Sequence, residues 1–251
     1  MGDPLPLMPL LYVLLGYLVL QIVLNLGLGL WLRMRKAPVV TVLKSTFWSG
    51  VINAVYFVAV AAVLHQRGLA PNAPSIPLDL WLWAVVGVIL GPLLWYLTTR
   101  ARYLGLLLFG RGELVAAEDA VLRVPPSPTY LTLGIVNVAL IQPLGREVFM
   151  RGAFFPTVAL TFGWWWALVA TLIIELLLRL NIVWLFQTVV YTLVMCTLFY
   201  LSGNALCGLV AASTAGLIHG VALAHITLKE KMRGVIDEEK QADESSPVQV
   251  D

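Results

Sequence analysis

Seven long apolar runs, separated by turn signals, constrain this chain more than any other feature: Met8–Leu32, Ser45–Leu64, Leu80–Leu97, Thr129–Leu160, Trp164–Leu180, Ile182–Leu201 and Asn204–Leu228. A helix needs about 20 apolar residues to cross a bilayer. In lipid, only helices and closed barrels satisfy their own backbone groups, and runs this long read as helices. The expected fold class is therefore all-α, a polytopic transmembrane helical bundle of about seven spans. Composition agrees: 60% of the 251 residues are hydrophobic and 12% are charged, which excludes a water-soluble globule. The formal charge of +2 gives no reason to expect nucleic acid as a partner. The first run begins Met1-Gly-Asp-Pro with no basic n-region, and no small-residue cleavage site follows Trp31. It is expected to be a retained helix rather than a signal peptide. Cys196 and Cys207 lie inside apolar runs without a CxxC or Cys/His spacing, so they read as small core residues. No metal and no cofactor are expected.

Lys and Arg near helix ends resist translocation and so set orientation. Three clusters fall on one side of a seven-span chain: Arg33, Arg35, Lys36 and Lys44; Arg100, Arg102, Arg111 and Arg123; and Lys229, Lys231 and Arg233. That side is expected to be the cytoplasm, with the N-terminus outside, the C-terminus inside, and the cell membrane as location. Between spans three and four, Gly105–Phe109 is too short to cross, and Glu113–Arg123 mixes charge with apolar residues. An interfacial helix is expected there. The tail from Lys229 to Asp251, with four basic and seven acidic residues, is expected to be disordered. Three units follow: residues 1–128 with three spans and the interfacial segment, 129–228 with four spans, and the tail 229–251.

Charge inside the spans is the exception that demands explanation. Arg146, Glu147, Arg151, Glu175 and Arg179 lie in or beside spans four and five. Each would cost roughly 2.5–3.5 kcal/mol at the bilayer centre, so they must pair or face water. Glu147 and Arg151 are spaced i,i+4, as are Glu175 and Arg179, which places each acid one turn from its base. With a bend at Gly163, the two acids lie about 24 and 18 Å from it at 1.5 Å per residue, close enough in depth to meet. A buried carboxylate beside arginines can be a general base or a proton site. Two ion pairs that lock two helices together use the same residues.

The run Arg146-Glu147-Val148-Phe149-Met150-Arg151-Gly152 resembles the first motif of the CAAX protease and bacteriocin-processing (CPBP/ABI) family of intramembrane proteases, in which two glutamates precede an Arg by three residues. Glu147, Arg151 and Gly152 match, whereas Arg146 replaces the first glutamate. The family's second motif, Phe-x-x-x-His, should lie about 28 residues on, where this chain reads Glu175-Leu-Leu-Leu-Arg179. The turn before the third motif is matched by Tyr200-Leu-Ser-Gly-Asn204, but Ala212 or Ser213 and Gly216 or Leu217 then stand where the family's His and Asn belong. The resemblance spans about Thr129 to Leu228 and implies a CAAX-protease-like core in the last four helices. In active members it implies glutamates and histidines around one water. Here arginine cannot accept the proton that the missing histidine would take.

The resulting expectation is a degenerate member of the family, a pseudoprotease acting as an accessory, assembly or structural subunit among other integral membrane proteins, with the lipid bilayer as its surroundings. The enzymatic alternative is a divergent endopeptidase using Glu147 and Arg151 with a displaced imidazole, His219. Trp164, Trp165 and Trp166 follow Gly163 and are expected to anchor span five at the interface. Gly208, Ala212 and Gly216 form a small-residue stripe suited to close helix packing. Pro143 and Pro156 bracket the charged motif and are expected to kink span four.

Overall fold

The computed structural model describes residues 39–66, 79–109, 127–179 and 184–245, with positions 12, 15, 16, 19, 23 and 34 before them. The first expected span, apart from those isolated positions, and the interfacial segment at Glu113–Arg123 lie outside the described residues. All described elements are helical: α1 (Val39–Gln66), α2 (Asp79–Phe109), a broken helix α3 (Pro128–Phe162), α4 (Trp164–Arg179), α5 (Leu185–Ser202) and α6 (Ala205–Ser245). Among the described residues, four apolar segments are long enough to cross a membrane: Trp81–Phe109, Pro128–Phe162, Leu185–Ser202 and Ala205–Ile226. Phe47–Val63 and Trp164–Leu177 are shorter apolar helices. Outward faces carry large apolar side chains, Trp81, Val85 and Ile89 among them. An exposed apolar surface of that extent belongs against lipid.

Two expectations change. Gly105–Phe109 is the end of α2 rather than a separate element. Nothing after Leu97 breaks the helix: the Thr98 hydroxyl donates to the Leu94 carbonyl at 2.7 Å, and Arg100 and Arg102 stack on Tyr96 and Trp184, covering their apolar stems. As far as Ser245 the tail is not irregular either, because α6 runs on through that residue. Its residues from Lys229 are mostly Lys, Glu, Met, Arg, Gln and Ala, which are strong helix formers whatever their charge.

The turns follow from local chemistry. Gly163 joins α3 to α4 at φ 90°, a region where an L side chain is strained. Gly203 ends α5 in the left-handed conformation, and its N–H donates to the Phe199 carbonyl at 2.8 Å, a glycine C-cap. Asn204 then caps α6: its Oδ1 accepts from the N–H groups of Leu206 and Cys207 at 3.0 and 3.3 Å. The Tyr200–Asn204 turn is thus explained by helix capping.

Helix α3 contains two π-turns, Asn137–Ile141 and Met150–Phe154. Each ends directly before the residue preceding a proline. The Gln142 N–H donates to the Asn137 carbonyl and the Phe155 N–H to the Met150 carbonyl, both five residues back. Pro143 and Pro156 follow, with no N–H to give and a ring that crowds the preceding turn. Widening that turn accommodates each ring, and π-bulges often accompany functional sites. Arg146 and Glu147 lie between the two, and Arg151 lies in the second.

Glycines set the closest helix contacts. A Cβ on Gly145 would lie 2.7 Å from the Ala54 Cα, joining α3 to α1, where Phe57 and Phe149 also stack at 4.7 Å. One on Gly87 would lie 2.7 Å from the Cys207 carbonyl oxygen, joining α2 to α6. Gly216 meets the Val138 carbonyl and Gly220 meets Ile135, so the α6 stripe is a packing surface against α3. The Val138 carbonyl is the one that a five-residue turn would pair with the missing N–H of Pro143. Gly216 gives it a Cα–H surface to rest on.

Candidate functional site

Helix periodicity brings the buried charges together. Glu147 and Arg151 are one turn apart on α3. Gly163 folds α4 back, and Arg151 and Glu175 lie equally far from it in sequence, so they meet at one depth. The Arg151 Nη1 donates to Glu147 Oε1 at 3.3 Å. It lies 2.6 Å from Glu175 Oε1 as an ion pair without hydrogen-bond alignment. Arg146 Nη2 pairs with Glu175 Oε2. Glu147 and Arg151 are 0% exposed and Glu175 is 1% exposed, while the Arg146 side chain retains 22%.

Sequence reasoning placed Glu147, Arg151, Arg146 and Glu175 together, and the structure brings them together, with Glu147 on Arg151 as the spacing suggested and two cations from α3 on Glu175. Arg151 serves both acids, and the second cation on Glu175 is Arg146. The Arg179 side chain, expected to pair with Glu175, lies outside the described residues; its backbone ends α4.

Two further residues complete the cluster and were missed. The Tyr191 hydroxyl donates to Glu147 Oε1 at 2.6 Å, and the Thr192 hydroxyl to Glu175 Oε2 at 3.1 Å. The Tyr191 ring lies 4.0 Å from the Arg146 guanidinium and 5.6 Å from that of Arg151, within cation–π range. The signal was present in the sequence: Thr188, Tyr191 and Thr192 form a polar stripe at i, i+3 and i+4 on an otherwise apolar helix. Removing the hydroxyl by Tyr191→Phe should keep the stacked ring and leave Glu147 with one fewer donor. The expected loss is about 1–3 kcal/mol, measured as thermal or denaturant unfolding in detergent. Unchanged stability would show that the 2.6 Å contact contributes nothing.

Two acids against two arginines make a neutral unit tying α3 to α4, with α5 supplying the hydroxyl donors. Its bonds do not use every group: Glu147 Oε2, Arg151 Nε and Arg151 Nη2 are buried without a hydrogen-bond partner. Glu147 Oε2 faces Gly208, whose added Cβ would lie 3.5 Å away. That contact also fixes the level of His219. Eleven residues separate Gly208 from His219, about 16 Å along the helix. His219 lies instead at the level of Gly216 and Gly220, whose added Cβ atoms would meet Val138 and Ile135, three turns along α6 from the level of Glu147. His225 is exposed further along α6. Among the described residues, no three His, Cys, Asp or Glu side chains converge as metal ligands would. Cys196 and Cys207 are free thiols and fully buried.

The three tryptophans divide into two roles. Trp165 and Trp166 are exposed, as interfacial anchors would be. Trp164 turns inward and packs edge-on against Phe155 and Tyr200 at 6.4 and 5.3 Å. It belongs to the core around Phe149, Phe154 and Phe155, because the turn at Gly163 points the first residue of α4 back over α3. Comparison with known proteins gives no match: no family model, no curated protein and no solved structure is similar to this chain.

Proposed function

We propose that this chain is a membrane protein of seven spans with a CAAX-protease-like core whose catalytic centre has become a structural ion-pair cluster, and that it acts as an accessory or assembly subunit of a membrane complex. The N-terminus lies outside and the C-terminus in the cytoplasm of a cell membrane, as the distribution of Lys and Arg requires. The reading is carried by one observation. Arg151, fully buried, occupies the space between Glu147 and Glu175 and contacts both carboxylates. A general base must reach the proton it removes and be free to accept it. Here one oxygen of Glu147 is taken by Arg151 and Tyr191, and His219 is too far away to assist.

Purification in mild detergent tests the subunit role: a stoichiometric integral membrane partner supports it, and a lone, proteolytically active monomer overturns it. The same preparation settles the enzymatic alternative. Glu147→Gln should leave cleavage of membrane peptides at the background of the unaltered protein. Abolition of a real activity by this substitution, in a protein that remains folded, would establish Glu147 as a catalytic base.

A further inference from the structure

Helix α6 is longer than a bilayer is thick. It runs from Ala205 to Ser245 as one element, but only Ala205–Ile226 is apolar enough to cross a membrane. Residues 227–245 continue past the span, about 28 Å of helix at 1.5 Å per residue. A helix of this length is marginal in water by itself, and most helices in proteins owe their stability to packing against a neighbour. The sequence of the projecting part says what kind of neighbour suits it. Residues 229–233 hold three bases, Lys229, Lys231 and Arg233, and one acid. Residues 237–244 hold five acids, Asp237, Glu238, Glu239, Asp243 and Glu244, and one base. Between the two stretches lie Val235 and Ile236, which share a helix face with Met232 at i+3 and i+4. From the membrane outward the order is basic, apolar, acidic.

That order is complementary to its own reverse. A second copy in the same membrane runs in the same direction, so bases would meet bases and acids would meet acids, which is repulsive. A second copy in a facing membrane runs the opposite way. Antiparallel overlap centred on Ile236 sets the basic stretch of each helix beside the acidic stretch of the other, with the apolar residues at the middle. A helix lying flat on its own bilayer would instead bring its acids to a surface that is commonly anionic.

We propose that the projecting part of α6 docks antiparallel on the same segment of a second copy anchored in an apposed membrane, holding the two bilayer surfaces about 30 Å apart. The inference needs only that Ala205–Ile226 spans a membrane and does not depend on the role of the ion-pair cluster. The full-length protein is reconstituted into phosphatidylcholine vesicles, whose headgroups carry no net charge, and vesicle size is followed by dynamic light scattering. The vesicles should cluster at about 0.1 M salt and disperse at about 1 M, where the Debye length falls from about 10 to about 3 Å. Electron cryomicroscopy of the clusters should show facing bilayers about 30 Å apart. Two variants separate the halves: Lys229→Glu with Lys231→Glu and Arg233→Glu, and Glu238→Lys with Glu239→Lys and Asp243→Lys. Each alone should lose clustering, whereas vesicles of one mixed with vesicles of the other should regain it. All six positions lie beyond the span, so both variants should unfold in detergent at the temperature of the unaltered protein. The second variant decides alone if the first does not accumulate. Clustering by that variant alone, dispersed vesicles with the unaltered protein, or recruitment of protein-free vesicles overturns the proposal. A dimer confined to one vesicle, without clustering, overturns the facing arrangement.

Discussion

Replacing Arg151 with glutamine is expected to abolish accumulation of the folded protein in the membrane. The side chain is fully buried and contacts both Glu147 and Glu175. Without it, among the described residues, two carboxylates share the cation of Arg146, with Tyr191 and Thr192 donating to them. Breaking a buried pair by removing one partner costs about 3–5 kcal/mol, against a total stability of roughly 5–15 kcal/mol for a typical domain. Here the substitution strands the fully buried Glu147 and takes one of two cations from Glu175. The measurement is the monodisperse yield from membranes, by size exclusion in mild detergent, with unfolding temperature for whatever survives. The cause is isolated by a double variant, Arg151→Met with Glu147→Gln, which removes one cation and one anion and leaves Arg146 paired with Glu175. Replacing a buried ion pair by neutral groups is often harmless, so the double variant should accumulate better than Arg151→Gln alone. If Arg151→Gln accumulates and melts like the unaltered protein, the cluster does not hold these helices together.

The second large effect is expected from one methyl group at Gly216. A Cβ there would contact the Val138 carbonyl oxygen and lie 2.9 Å from the Val138 carbonyl carbon and 3.0 Å from the Ala139 Cα. All three atoms are backbone, so no side chain can swing away, and α6 must separate from α3. Overpacking of this kind costs about 1–3 kcal/mol or more. Gly216→Ala should therefore lower the unfolding temperature clearly. Gly134→Ala is the control, because nothing lies within 4 Å of its added Cβ. In that helix interior alanine should be neutral or stabilising by up to about 1 kcal/mol. Equal behaviour of the two variants would mean that α6 and α3 do not pack as closely as Gly216 indicates.

The candidate site was partly legible. Glu147 with Arg151 follows from i,i+4 spacing, and the meeting of Glu175 with them follows from their equal distance to the glycine bend. The cations that Glu175 takes from α3 were not legible. Local spacing offers Arg179 first, a residue whose side chain lies outside the described residues, but a carboxylate with two oxygens can also take cations from a neighbouring helix. Arg146 and Arg151 reach it because α4 folds back over α3. Trp164, likewise, has the same residue type as Trp165 and Trp166, and only the direction in which α4 leaves Gly163 separates the core ring from the exposed pair.

The sequence by itself determined that the chain is helical and made for a bilayer, since long apolar runs leave the backbone no other way to satisfy its hydrogen bonds. It also determined the turns at Gly163 and at Gly203–Asn204, because glycine and asparagine act on the backbone next to them. Tertiary structure decided what the buried charges do. A charge in a low-dielectric interior is governed by whichever partners lie within a few ångströms. Those partners, Tyr191, Thr192 and an arginine on the facing helix, are distant in sequence and become neighbours only when the helices pack.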